Sequence, residues 1–175
     1  EPSDNSSPLL GNLRTDFGGL FYNIEDTLQI NTIIKNENVR QLIPNNIKFL
    51  WSVKPLSSIT DANGQVTDID GEVIELFVIR TSRGGKAPLT GEVITDARQD
   101  LDQSARPSIS MQMNSNGAKE WRRLTSQNIG RRVAIVLDDF VYSAPFVQNE
   151  IPNGNSQITG NFTIEEAQDL ANILK

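Results

Sequence analysis

The chain has 175 residues, of which 37% are hydrophobic and 22% are charged, a composition typical of a folded domain and not of a disordered segment. It contains no cysteine and no histidine, which excludes disulfides, metal sites built on these residues, thiolate nucleophiles and Ser-His-Asp triads. The 22 Asp and Glu outnumber the 16 Lys and Arg, so the formal net charge is -6 and no nucleic-acid partner is expected. Since no apolar run approaches the ~20 residues of a membrane span, we expect one soluble domain without metal or cofactor.

The N-terminal part is predicted to be helical after an irregular start. Residues 1–19 are rich in Pro, Ser, Asn and Gly, which predicts a partly disordered lead-in. Residues 24–35 predict a short helix with Asp26 as its N-cap, and residues 37–43 predict a second helix that ends before Pro44. The apolar positions of the first helix are Leu28, Ile33 and Ile34.

A β-hairpin is predicted to follow these helices. Apolar residues alternate with other residues over 47–53, which indicates a half-buried strand, and the apolar run 73–81 is its expected partner across a long polar loop, 55–72. Part of this loop, 61–72, carries oxygen-bearing side chains at five EF-hand ligand positions: Asp61, Asn63, Gln65, Thr67 and Glu72. It has Val66 where the EF-hand needs glycine, so a solvated hairpin loop is the favoured interpretation over a calcium site.

The C-terminal half shows a more regular pattern. Predicted strands occupy 92–95, 108–113, 132–137, 140–143 and 157–159, and the fourth of these ranges follows a turn at Asp138-Asp139. The run 132–137 is nearly all apolar and is therefore predicted to be a central strand. One helix is predicted to start at Ser115 or Asn116 and to end near residue 129, and another opens with a capping box formed by Thr163 and Glu166.

This order of elements predicts an α+β fold. The second half has the order β-α-β-β-β-α, preceded by the N-terminal helical segment and the β-hairpin, and helices are expected to cover one face of a mixed or antiparallel sheet. The last helix carries one apolar stripe, which predicts that it docks on that sheet. The stripe consists of Ile164, Ala167, Leu170, Ala171 and Leu174.

Candidate functional residues fall into three groups. The carboxylate pairs Asp138-Asp139 and Glu165-Glu166 suggest acid–base catalysis, but turn and cap roles account for both, and we expect no catalytic residue. The basic cluster is interpreted as structural, because cations stabilise a helix C-terminus; its members are Arg122, Arg123, Arg131 and Arg132. The third group consists of aromatic residues around Pro145 that could hold an apolar or extended peptide, although packing also explains them: Phe140, Tyr142 and Phe146.

About half of the chain, from residue 89 to residue 174, contains a succession of short motifs: Leu89-Thr90-Gly91-Glu92, Asp96-Ala97, Arg106-Pro107-Ser108-Ile109-Ser110, Asn116-Gly117-Ala118-Lys119, Thr125-Ser126-Gln127-Asn128-Ile129-Gly130, Ala134-Ile135-Val136-Leu137-Asp138, Ser143-Ala144-Pro145 and Gln157-Ile158-Thr159-Gly160-Asn161-Phe162-Thr163. With these motifs in this order, the region resembles the head portion of the first periplasmic domain of SecD, a membrane subunit that assists the Sec protein-export channel. The chain departs from the family pattern at two turn positions, where Asp139 and Asn153 stand in place of glycine.

The resemblance implies a head domain at 20–175, in which 20–88 is a variable elaboration and 89–175 is the family core. It implies turn and structural roles for Asp138, Pro145, Gly154 and Gly160. It also implies a non-enzymatic domain on the periplasmic side of the bacterial inner membrane, cut from a membrane-embedded parent. Its expected partners are unfolded preprotein and, through the parent protein, the Sec translocon and a SecF-like module.

Two other hypotheses stay open at this point. A small extracytoplasmic carbohydrate-binding module or carboxylate-based hydrolase would use Asp or Glu pairs with Phe140 and Tyr142. A structural spacer would have no binding role.

Overall fold

The computed structural model describes residues 8–14, 19–60, 66–82, 84–160 and 162–175. The chain divides into two compact units. The first comprises Glu1–Gly85 and Val136–Tyr142, and the second comprises Lys86–Ile135 and Ser143–Lys175. Most of the predicted lead-in, 1–7 and 15–18, lies outside the described residues. The predicted head domain at 20–175, with a variable elaboration at 20–88 and a family core at 89–175, stays a prediction.

In the residues that the structure describes, the part of the first unit before Gly85 contains three helices and four strands in the order α1 (Pro8–Gly11), β1 (Phe21–Asn23), α2 (Thr27–Lys35), α3 (Glu37–Leu42), β2 (Ile47–Trp51), β3 (Leu56–Thr60) and β4 (Val66–Arg80). A 3-10 turn, Ile24–Asp26, precedes α2. Strand β4 is the centre of the sheet, because β1, β2 and β3 all pair with it in antiparallel orientation. The predicted pairing of residues 47–53 with 73–81 is confirmed by the register, which runs from Ile47 opposite Arg80 to Trp51 opposite Leu76.

The expectation of one polar loop over 55–72 is wrong. Strand β3 and the first half of β4 pair there instead, with Thr60 opposite Val66. The polar composition of the segment concealed short β-branched pairs, Ile59-Thr60 and Val66-Thr67, which favour strands once a partner is present. Three of the five positions considered for calcium, Asp61, Asn63 and Gln65, lie outside the described residues.

The core of the first unit forms where α2 meets the sheet. Its buried residues are Tyr22, Ile30 and Leu76. Leu28, one of the apolar positions of this predicted helix, is 77% exposed, whereas Ile30 is fully buried. Asp26 precedes α2 as predicted, but its side chain makes no capping hydrogen bond.

Two polar groups in this core have hydrogen-bond partners. The rings of Tyr22 and Trp51 meet edge-on, with centroids 5.9 Å apart. The Tyr22 hydroxyl donates to the carbonyl of Leu9 at 3.1 Å, and Trp51 Nε1 donates to Asn31 Oδ1 at 2.9 Å. Burial raises the pKa of the Tyr22 hydroxyl above its usual value.

The second unit contains β5 (Ile94–Leu101), β6 (Pro107–Met113), α4 (Ser115–Gln127), β9 (Asn155–Thr159) and α5 (Ile164–Leu174). Its three strands form an antiparallel sheet with the order β5-β6-β9. Between α4 and β9 in the chain, strands β7 (Ile135–Leu137) and β8 (Phe140–Ser143) form a hairpin of their own, most of which belongs to the first unit. The predicted strand at 92–95 is largely wrong, since Gly91–Val93 is a 3-10 turn and the strand begins at Ile94.

The prediction of a central strand at 132–137 is also wrong. Strand β7 has three residues and pairs with β8 in a two-stranded sheet. The residues before it form hydrogen bonds with a different segment: the amide of Val133 donates to the carbonyl of Pro145 at 3.0 Å. The turn between β7 and β8 is confirmed, with positive φ at Asp138 (49°) and Asp139 (62°), conformations that Asp tolerates.

The two faces of the β5-β6-β9 sheet differ in polarity. Side chains of one parity are buried and apolar: Ala97, Ile109, Met111 and Ile158. The residues between them on β6 are polar: Ser108, Ser110 and Gln112. Helix α5 packs on β5 and β6 with its buried side chains, Ala167, Leu170 and Ala171. Ile164, predicted on the same stripe, is instead 64% exposed, because it is the first residue of the helix. The predicted α+β fold, with helices on one face of an antiparallel sheet, is confirmed for this unit.

Both longer helices of this unit begin at defined caps. Helix α4 is capped by Asn114, whose Oδ1 accepts from the amides of Asn116 at 3.1 Å and Gly117 at 2.9 Å, and not by Ser115 or Asn116 as predicted. The predicted capping box of α5 is confirmed: Thr163 Oγ1 accepts from the Glu166 amide, and the Glu166 carboxylate accepts from the Thr163 amide.

Candidate functional site

A surface groove of about 290 Å³ lies in the second unit, where the end of β9 approaches the segment that follows β8. Its lining residues are Arg106, Pro145, Phe146, Gln148, Thr159 and Gly160. Phe146 provides an aromatic wall and is 66% exposed. An exposed aromatic ring in a concave surface costs solvation free energy that a bound apolar group would recover.

The backbone that carries Phe146 is held by hydrogen bonds to the segment after α4. The Gly130 amide donates to the Val147 carbonyl at 2.8 Å, and the Val147 amide donates to the Arg131 carbonyl at 2.9 Å. The Val147 side chain is buried, whereas the Phe146 side chain points outward. The ring is therefore exposed on a fixed backbone, which lowers the entropy that binding must cost.

The groove also contains a positioned cation, Arg106. Asp102 Oδ1 accepts from the amides of Ser104 at 2.8 Å and Arg106 at 2.9 Å, and Asp102 Oδ2 accepts from Arg106 Nε at 2.9 Å. The Arg106 side chain is largely exposed, whereas the Asp102 side chain is nearly buried. The hydrogen bond from the Arg106 amide, helped by the guanidinium, holds the pKa of Asp102 below its usual value.

Substituting Asp102 by asparagine is expected to reduce the loss of folding stability that occurs as the pH falls. Because the folded-state pKa is depressed, the carboxylate stabilises the fold above about pH 4, and this contribution is lost as pH falls through the folded-state pKa. Urea midpoints measured at pH 7 and pH 2.5 should show a lower midpoint for Asp102→Asn at pH 7 and a smaller drop on acidification. Asp169→Asn, at an exposed position of α5, serves as the control. If the urea midpoint of Asp102→Asn fell on acidification by as much as that of the original chain, a stabilising role of the Asp102 carboxylate would be contradicted.

The structure places the predicted residues at several sites. Phe146, Pro145 and Gly160 lie together in the groove. Phe140, which is 45% exposed, and the half-buried Tyr142 belong to the first unit. Their roles in substrate contact stay predictions.

The remaining turn residues occupy special conformations away from the groove lining. Asp138 lies in the β7–β8 turn, and Gly154 is buried with φ +70°. Sequence reasoning missed Arg106, Gln148 and Thr159 as groove residues. A signal existed for two of them, since Arg106-Pro107 and Thr159-Gly160 belong to the motifs that carry the family resemblance. Their proximity follows from the register that sets Ser108 opposite Thr159.

Some of the other candidate residues make contacts within the fold. Among the described residues, no three acidic side chains cluster in a way that could hold a metal ion. Glu166 belongs to the capping box of α5, as predicted. Arg122 forms an ion pair with Glu150, and Arg123 forms one with Glu120 at 2.8 Å, so both side chains are engaged within the fold.

Comparison with known proteins identifies the family. The model of the SecDF P1 head subdomain matches residues 59–175. The chain is 41% identical over 177 residues to the protein translocase subunit SecD of Rhodothermus marinus, covering 99% of this chain and 26% of that protein. It is 37% identical over 120 residues to the protein translocase subunit SecDF of Thermus thermophilus, covering 69% of this chain and 16% of that protein.

A solved structure of SecDF, described as a membrane component that enhances protein export, is 30% identical and covers 79% of this chain and 66% of that chain, with a TM-score of 0.46. Another, of SecDF in its super-membrane-facing form, is 41% identical, covers 54% of this chain and 13% of that chain, and has the same TM-score.

These sequence matches define the class: the chain is a head domain of a protein translocase subunit. The chain belongs to the SecD/SecDF family, as the resemblance of residues 89–174 predicts. It spans about a quarter of the length of the R. marinus relative. Within the ranges that the structure describes, no helix is long and apolar enough to cross a membrane.

Proposed function

We propose that the chain is the periplasmic head domain of a SecD/SecDF-type translocase subunit and transiently binds unfolded preprotein that emerges from the Sec channel. The observation that carries this proposal is the groove in the second unit, where Phe146 is 66% exposed on a fixed backbone. An unfolded chain exposes apolar side chains, and such side chains can pack on this ring.

The groove suits weak and sequence-tolerant binding. It offers one aromatic anchor and one positioned cation, Arg106, in a volume of about 290 Å³. An unfolded partner must also lose conformational entropy when it binds, which reduces affinity further. Weak binding is what a translocation factor requires, because the preprotein has to be released as it moves.

In the parent protein, we propose that movement of the head is coupled to proton flow across the membrane and so favours completion of export. The relatives in R. marinus and T. thermophilus are both named as protein translocase subunits, which supports a role in export. The Sec translocon and a SecF-like module would be partners of the parent protein. The head itself would carry out no catalysis.

Phe146→Ala is expected to weaken binding of a permanently unfolded exported protein about tenfold, since the aromatic anchor is lost. The affinity can be measured by fluorescence anisotropy at up to high micromolar concentrations of the chain. Leu42→Ala, at an 84% exposed site on α3, is the control for removal of an exposed apolar side chain and should bind like the original chain.

Two outcomes would count against this proposal. If no binding is detected at high micromolar concentration, the chain does not hold preprotein. If Phe140→Ala weakens binding and Phe146→Ala does not, the contact surface is the β7–β8 hairpin and not the groove.

A further inference from the structure

Strand β9 is an edge strand whose free side can be identified from its hydrogen-bond pattern. It pairs with β6 in the β5-β6-β9 sheet. The Met113 amide donates to the Gly154 carbonyl at 3.1 Å, so this pair bonds directly across the two strands. In antiparallel sheets, directly bonded pairs alternate with pairs whose main-chain groups point away from each other. Ser156 and Ile158 therefore bond β6, and the residues between them direct their main-chain groups to the outer side.

The outward-facing residues of β9 are Asn155, Gln157 and Thr159. The Asn155 amide donates to the side chain of Asn153 at 3.4 Å. For the amides and carbonyls of Gln157 and Thr159, no hydrogen-bond partner is found in the part of the chain that the structure describes. Both residues are exposed, so these groups are accessible to a partner.

The two edges of the sheet are protected to different extents. Strand β5, at the opposite edge, carries three charged residues, Asp96, Arg98 and Asp100, and Lys175 lies 3.9 Å from the carboxylate of Asp96. Charges of this kind discourage another strand from pairing with an edge. Strand β9 has the sequence Asn-Ser-Gln-Ile-Thr and carries neither charge nor proline. Its edge is open to strand addition.

The groove lies at the end of this edge. Thr159 and Gly160 line it together with Pro145, Phe146 and Gln148. A chain that paired with the outer side of β9 would therefore run into the groove and bring a side chain against the ring of Phe146.

We propose that an extended polypeptide segment binds as an added strand along β9, through main-chain hydrogen bonds to Gln157 and Thr159, with an apolar side chain against Phe146. The occupant is a polypeptide because equivalent main-chain groups two residues apart recur every ~6.8 Å, the repeat of another extended backbone. Main-chain bonding does not depend on the sequence of the partner. This inference rests on the proposed function and specifies how the preprotein is held.

Backbone N-methylation tests the main-chain bonds without changing side chains. In a ten-residue peptide that alternates Val and Thr, the amides of one residue type face β9 and those of the other face solvent. N-methylation of one set should weaken binding at least tenfold, whereas N-methylation of the other set should change it less than threefold. Affinities are measured by fluorescence anisotropy on the unsubstituted chain. Equal affinities of the two N-methylated isomers would overturn the proposal.

A substitution in the chain tests the same main-chain bonds without any change to the peptide. Thr159→Pro removes an outward amide and leaves the bonds of Ser156 and Ile158 to β6, because proline is tolerated where an edge amide faces solvent. Thr159→Val retains the amide and is the matched control. Binding of the unmodified peptide should be at least tenfold weaker in Thr159→Pro than in Thr159→Val, which differs from it in retaining the amide. Equal binding by a folded Thr159→Pro variant would contradict strand addition, and if that variant does not fold, the peptide isomers decide.

The outcomes separate this inference from the proposed function. If an unfolded exported protein binds but the two N-methylated isomers do not differ, preprotein binding stands and strand addition fails. If neither the unfolded protein nor the unmodified peptide binds, the proposed function itself fails.

Discussion

Gly154→Ala is expected to lower the free energy of unfolding of the second unit by about 3 kcal/mol, because two costs add at this position. Gly154 has φ +70°, a left-handed conformation that costs a residue with a Cβ atom about 1–2 kcal/mol. Its Cβ would lie 2.8 Å from the Cβ and 3.2 Å from the Cα of Ala118. Since the Cα belongs to the backbone of α4, the helix or the loop would have to shift, at a further cost of about 1–3 kcal/mol.

Gly130→Ala separates these two costs. Gly130 has nearly the same φ, +74°, but no atom lies within 4 Å of the position that an added Cβ atom would take, so only the conformational cost of about 1–2 kcal/mol applies. Urea unfolding followed by circular dichroism measures both variants. Equal destabilisation of the two variants would show that the contact of an added Cβ atom with α4 contributes no cost in Gly154→Ala.

Leu170→Ala is expected to destabilise the second unit by about 2–5 kcal/mol, the range for deletion of a buried leucine side chain. Leu170 is 2% exposed on α5, which packs on β5 and β6. Removal of the side chain loses its transfer free energy and leaves a cavity that the neighbouring sheet fills only in part. The free energy of unfolding from urea titration gives the value directly.

Ile164→Ala is the matched control for Leu170→Ala, because it removes an aliphatic side chain of similar size from the same helix. Ile164 is 64% exposed, so the expected change is within about 0.5 kcal/mol. A loss of similar size in both variants would mean that α5 does not dock through Leu170.

Elements with a strong local signal were predicted well. Helix α5 carries a capping box and an apolar stripe, and its start at Ile164 and its buried residues Ala167, Leu170 and Ala171 follow from these features. Strand β6 shows alternation of apolar and polar residues, and its apolar residues Ile109 and Met111 are buried as that alternation predicts, although Ser108 is buried as well. In both cases the local preference of the chain and its tertiary environment agree.

Elements whose signal depends on a distant partner were missed or misplaced. Strand β5 contains the charged residues Asp96, Arg98 and Asp100, which disfavour a strand, yet it forms because β6 supplies its hydrogen bonds. The apolar run at 132–137 predicts a central strand, but the amide of Val133 donates to the carbonyl of Pro145 and Val133 is not part of strand β7. Tertiary pairing overrode local propensity in both places.

The candidate site likewise combines a residue that local sequence indicated with residues that only the tertiary structure brings together. Phe146 stood out in the sequence as an aromatic residue beside Pro145, and it lies in the groove with Gly160. Arg106 and Thr159 join it because of the β6–β9 register, which brings together residues more than 50 positions apart. The open outer edge of β9 depends on the same register.

Family membership, the α+β class and the N-terminal capping box of α5 could all be established from local residue patterns, because motifs, alternation and capping act within a few positions of the chain. The groove around Phe146, the free edge of β9 and the close approach of Gly154 to Ala118 became visible in the folded chain alone. Strand register and side-chain packing set these three features, and both are decided by contacts between distant residues.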